Sequence, residues 1–194
     1  MVQNSHYKDD LKAQITEAYG KVTYTYTAHH KLRDRLDKRN RGIKTAQIFL
    51  SGVSTFGFVG TLITNSIAAT WIAGVFAALL LIINLYFKDF NLPEQIAKHR
   101  NAADDLWLIR DQYLSLLTDF PVLSENEISM KRDEMQNRTN KIYKHSPETD
   151  EKSYKEAQNA LKNEEEQFFS TEELDKMLPS HLRSGNSAQT GETK

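Results

Sequence analysis

Six residues between positions 47 and 65 have the types and spacing to do chemistry of one kind. Gln47, Ser51, Ser54, Phe58, Thr61 and Asn65 follow one another at intervals of 4, 3, 4, 3 and 4. On an α-helix those intervals put all six on one face. Five carry a hydroxyl or amide and none carries a charge. Inside hydrocarbon such groups seek another helix or water. One reading, the commoner use of such faces, is hydrogen bonding between helices. The other is a face that lines an aqueous path once several chains assemble. Phe58 would then be the gate, since an apolar constriction closes by dewetting. Both readings require association, because one pair of helices cannot enclose a channel.

Small residues add to the case for close helix packing. Gly57 and Gly60 flank Phe58, and Ala69, Ala73 and Ala77 recur every four residues further on. Such stripes let backbones approach closely, although alanine is common in membrane helices.

A second group is cationic. Arg33, Arg35, Arg39, Arg41 and Lys44 crowd the stretch just before the polar face. Next to an apolar segment, such a run attracts anionic lipid at ~1 kcal/mol per residue near the surface. Guanidinium forks also suit phosphate ligands. Asp34 and Asp37 dilute the run, so direct nucleic-acid binding is not expected.

Enzyme signatures are missing. No P-loop, GxGxxG, GxSxG or HExxH pattern occurs. The chain has no cysteine, so thiol nucleophiles, zinc–thiolate sites and disulfides are excluded. Of its six histidines, His29 and His30 are adjacent, about 100° apart on a helix, and ill placed to share an ion. Glu164, Glu165 and Glu166 read as a solvated face. Neither a metal nor a cofactor is expected, and the chain does not read as an enzyme.

The elements that must position these residues follow from charge. Between Lys44 and Lys88 lie 43 consecutive residues without Asp, Glu, Lys, Arg or His, in a chain that is 26% charged. Residues 1–44 hold ten Lys and Arg against five Asp and Glu, and residues 88–194 hold 15 against 21. A basic arm, an uncharged block and an acidic tail argue against a fully soluble globule. A helix needs ~20 apolar residues to cross the hydrocarbon core, so the block suffices for two crossings. Thr64-Asn65-Ser66 is polar and turn-prone. It divides the block into 45–64 and 67–87, a two-helix transmembrane hairpin. Trp71 and Tyr86 suit the two interfaces. Basic residues flank both outer ends and none lies in the turn, which places both termini in the cytoplasm.

The arms read as helical, so the fold class is an all-α membrane protein with N- and C-terminal cytosolic helices. Leu11, Ile15, Ala18 and Val22 begin a stripe that Leu32 and Leu36 extend. Gly20 weakens it, Thr23-Tyr-Thr-Tyr-Thr27 taken alone reads as a strand, and Gly42 is a candidate bend. The expected organisation is an arm over 1–44, the hairpin over 45–87 and a cytosolic helical region over 88–179. That region opens at Asn91-Leu-Pro-Glu with a helix to Phe120-Pro121. Capping boxes at Ser124-x-x-Glu127 and Ser170-x-x-Glu173 start two more helices, and a charged helix spans about 149–168 between them. Residues 180–194 are rich in Gly, Ser and Thr and are expected to be disordered.

This layout carries a family resemblance. The basic arm His30-Lys-Leu-Arg-Asp-Arg-Leu-Asp-Lys-Arg-Asn-Arg-Gly-Ile-Lys44 runs into a Gly/Ser/Thr-rich first membrane helix. A minimal turn leads to a second. Phe87-Lys-Asp-Phe and the helix Glu94-Gln-Ile-Ala-Lys-His-Arg-Asn-Ala-Ala-Asp-Asp-Leu-Trp-Leu-Ile-Arg110 follow. Over about residues 8–165 the chain resembles the SLATT family, two-transmembrane effector domains associated with bacterial nucleotide-signal defence systems. The standalone form resembles subfamilies found beside a nucleotidyltransferase or a reverse transcriptase. The resemblance implies an effector of the bacterial inner membrane. It would oligomerise into a pore on a signal from the partner enzyme, depolarise the membrane and halt the infected cell. A signalling nucleotide or that partner enzyme would activate it. The family offers no catalytic residue to carry over. The competing expectation is a membrane-anchored scaffold whose C-terminal helices recruit a cytosolic partner.

Overall fold

The computed structural model describes residues 2–64, 66–88 and 90–183. The elements are α1 (Val2–Thr64), α2 (Ile67–Lys88), α3 (Leu92–Asp119), α4 (Glu125–His145), α5 (Glu151–Lys162) and α6 (Thr171–Met177), then a 3-10 turn at Ser180–Leu182. No strand occurs among the described residues. Asn65 and residues 184–194, most of the expected disordered tail, lie outside the described residues.

α1 is one helix of 63 residues, about 95 Å long at 1.5 Å per residue. It continues through Gly20, through the Thr/Tyr run and through Gly42. The candidate bend at Gly42 is therefore not a helix break. Each glycine costs a helix roughly 1 kcal/mol relative to alanine, but partner helices hold α1 on both sides of Gly42. The threonines settle into the helix by turning their hydroxyls onto backbone carbonyls one turn back. Thr23 Oγ1 donates to Tyr19 O at 2.8 Å, and Thr27 Oγ1 donates to Thr23 O at 2.9 Å.

α2 and α3 return alongside α1 in the opposite direction. Gln47 pairs with Asn84, Tyr26 packs on Trp107, and Lys8 lies over the Phe120 ring. α4 then runs parallel to α1, with Arg132 bonded to Gln14 and Tyr143 to Thr25. Leu11, Ile15 and Val22 of α1, Leu106, Ile109, Tyr113 and Leu116 of α3, and Ile128 and Met135 of α4 close the core. The 4-and-3 stripe read from the sequence is this buried face.

Helix ends follow local chemistry. Ser124 and Ser170 each complete a capping box with Glu127 and Glu173. α3 opens at Leu92 with Pro93 in its first turn, where a missing N–H costs nothing. α5 is shorter than the expected 149–168. Asp150 caps its start, and it ends at Lys162. Glu165 (φ 50°) and Gln167 (φ 80°) then take left-handed conformations that no helix continues through. The turn is tied to α1: Lys31 pairs with Glu166 at 2.8 Å, and Gln167 Nε2 donates to Thr27 Oγ1 at 3.0 Å. Ser180–Leu182, at the start of the stretch expected to be disordered, forms a 3-10 turn. Arg183 donates back to the carbonyls of Leu178 and Lys176 and closes the turn.

Candidate membrane-spanning site

The uncharged block forms the last third of α1 and nearly all of α2. The two pack antiparallel. Gln47 Nε2 donates to Asn84 Oδ1 at 2.8 Å, and Ser54 Oγ donates to Ala73 O at 3.3 Å. The helices come close at Gly57: a Cβ there would lie 3.0 Å from the Cβ of Ala73. A methyl at Gly60 would meet nothing within 4 Å. Ala73 is 6% exposed, Ala69 is half-buried and Ala77 is exposed.

The polar face is thereby divided. Gln47 and Ser54 are engaged with α2. Thr61 is half-buried and donates to Phe58 O at 2.7 Å. Ser51 and Phe58 are exposed, Phe58 by 60%. At 100° per residue, Ser54 and Thr61 lie on the side facing α2, and Ser51 and Phe58 lie on the open shoulder. Asn65 lies outside the described residues. Asn84 was not singled out from the sequence. Its signal was there, since an amide within an apolar helix needs a partner.

Around this polar seam the surface is apolar. Phe56, Leu62, Ile63, Ile67, Trp71 and Ile82 are each more than 60% exposed. The apolar stretches of the two helices are 0% and 6% buried. The core helix of a soluble protein would be mostly buried. Both helices are long and apolar enough to cross a membrane.

The cationic run has diverse partners. Arg33 pairs with Asp34 at 2.6 Å and touches His30 Nε2 at 2.9 Å. Arg35 reaches α5, bonding Glu156 at 3.0 Å and also Asp150. Burial opposes ionisation of Asp150, but the Ser153 N–H and the Arg35 guanidinium outweigh it and hold its carboxyl down to about 2. Arg35 thus fastens α5 to α1. Arg39 lies over Phe87 and Phe90 at 5.5 and 5.9 Å, and Arg41 pairs with Asp37 at 3.0 Å. Lys44 lines a cleft where α1, α2 and α3 meet.

One pairing needed the tertiary structure to be seen. His29 and His99 are both buried and meet Nδ1 to Nδ1 at 2.9 Å. One ring donates its N–H and the other accepts. Burial, and then His99 beside it, lowers His29 to about 4. His30 points elsewhere, toward Asp34. Among the described residues no group of three or more His, Cys, Asp or Glu could hold a metal ion.

Comparison with known proteins agrees with the architecture. A family model described as SMODS and SLOG-associating 2TM effector domain family 4 matches residues 11–173. No curated protein and no solved structure matches the chain. The match covers both apolar helices and the polar helices through the second capping box. The chain therefore belongs to the SLATT family, as a two-transmembrane effector domain linked to anti-phage systems.

Proposed function

We propose that this chain is a pore-forming effector of the bacterial inner membrane. α1 and α2 cross the bilayer as a hairpin with both termini in the cytoplasm. Copies associate through the hairpins, and their assembly opens a conducting path on infection. The membrane depolarises and growth stops. The observation that supports this best is the exposed apolar pair with a polar seam. Two helices bury each other on one side only, so the outward faces are left for lipid and for further copies. Since Gln47 and Ser54 are occupied by α2 and Thr61 lies on the same side as Ser54, the path is lined by the shoulder of Ser51 and Phe58.

Membrane potential in cells carrying the chain and its neighbouring genes tests the proposal. With a potential-sensitive dye, phage challenge is expected to depolarise the wild type. Ser51→Leu abolishes the response, and Phe58→Ala leaks before challenge. Unchanged potential alongside intact defence removes the pore and leaves the scaffold. That second reading has its own support. Phe168, Phe169, Leu174 and Met177 around α6 are 49–65% exposed, an apolar surface suited to a cytosolic partner.

A further inference from the structure

The last charge before the uncharged block and the first after it are 44 positions apart in the chain, and the fold brings them to one place. Lys44 of α1 and Lys88 of α2 line the same cleft, of about 340 Å³, with Asn40, Asn91 and the Gln47–Asn84 pair. Among the described residues neither lysine has a carboxylate partner. Glu94, in the first turn of α3, is held by Lys98 at 2.7 Å and by the Asn91 amide. Arg39 adds a third cation at this end, over Phe87 and Phe90. Two ammonium groups sharing a cleft repel each other, and an anion between them removes that repulsion. The amide of Asn40 supplies a further N–H donor. Asn91 is at φ 34°, so the backbone turns sharply here between α2 and α3.

From this convergence we infer that the cleft is a binding site for a phosphate anion, and that the anion is the headgroup of an acidic membrane lipid. The source follows from depth. The cleft sits where the uncharged block begins and ends. In the bilayer orientation proposed above, on which this inference rests, that is the level of the cytoplasmic-leaflet phosphates. A bound headgroup joins α1, α2 and the start of α3. It therefore ties the end of α2 and the start of α3 to α1 at the junction of the bundle and the membrane pair.

The test uses the full chain in neutral detergent. Short-chain phosphatidylglycerol, short-chain phosphatidylcholine and inorganic phosphate are titrated while thermal unfolding is followed. Phosphatidylglycerol is expected to raise the midpoint and phosphatidylcholine to leave it. Lys44→Gln/Lys88→Gln weakens the apparent affinity about thirtyfold, as two lysines at ~1 kcal/mol each imply. Lys44→Arg/Lys88→Arg retains it, and the exposed pair Lys12→Gln/Lys144→Gln does not change it. A response to inorganic phosphate with the same lysine dependence keeps the phosphate site and makes its source a free anion. Equal responses to the two lipids, or a response indifferent to Lys44 and Lys88, overturn the site. Carbonate washing of cell membranes separates the two layers of the argument. Release of the chain into the wash refutes the bilayer orientation. Retention without lysine dependence refutes the phosphate site alone.

Discussion

His29 and His99 are a buried polar pair with a cost that depends on pH. The folded chain keeps His29 neutral down to about 4, because burial penalises the imidazolium and His99 adds to the penalty. His99 is itself lowered by burial, with Asp150 pulling the other way. An unfolded histidine takes up its proton near pH 6.5. Between pH 6.5 and 4 the unfolded chain therefore binds more protons, and stability falls as pH falls. Above pH 6.5 the curve is flat with respect to this pair. Asp150 acts in another window: its stabilisation is present above 3.8 and is lost as pH falls toward 2. Circular dichroism melts are expected to show a midpoint several degrees lower at pH 5 than at pH 7.5. His29→Leu/His99→Leu flattens that difference. His29→Leu alone strands a buried ring nitrogen and costs about 1–3 kcal/mol at neutral pH. The adjacency of His29 and His30 was legible in the sequence, and so was their divergence. The partner 70 residues away was not, because no local pattern encodes which α3 face meets α1.

Among the elements, α1 unites regions that composition separates. Its polar–apolar change near residue 45 falls within one continuous helix, with no joint in the backbone. The Thr/Tyr run shows why local propensity misleads: β-branched residues lower helix propensity only slightly, and burial of Val22, Thr23, Thr27 and Ala28 against other helices outweighs it. Small residues divide in the same way. Gly57 touches Ala73 and Gly60 does not, although the sequence presents them as equals. Gly57→Val is therefore expected to force α1 and α2 apart and to destabilise the pair by about 1–3 kcal/mol. Gly60→Val has little effect on the isolated chain. Unfolding of purified chain in detergent, followed by Trp71 fluorescence, measures the contrast. Equal losses at both sites would contradict the packing described here. The capping boxes were fully readable, since Ser, two spacer residues and Glu fall within one turn. The end of α5 was not readable, because Lys31 and Thr27 of a distant helix hold the left-handed turn that stops it.

For the whole molecule, the division into a buried helical bundle and an exposed apolar pair bears on topology. The absence of cysteine makes this easy to test. In intact spheroplasts, Ser66→Cys is expected to react with a membrane-impermeant maleimide, and Asn126→Cys in α4 only after the membrane is permeabilised. Labelling of Asn126→Cys from outside would reverse the orientation proposed from Lys44, Lys88 and their neighbours. A chain in which both positions react before permeabilisation would have no bilayer between them.

The sequence by itself determined the two apolar helices, the helical character of the arms, two capping boxes and the family. Each of these depends on contiguous residues: uninterrupted absence of charge, a 3.6-residue period or a four-residue cap. The tertiary structure decided which residues meet. It gave Gln47 to Asn84, Ser54 to Ala73 and Arg35 to Asp150 and Glu156, and it left Ser51 and Phe58 on the open side. It also brought Lys44 and Lys88 into one cleft. A helix of period 3.6 names a face but not its neighbour. The neighbour is set by how α2, α3 and α5 pack along one long helix, which only the assembled chain specifies.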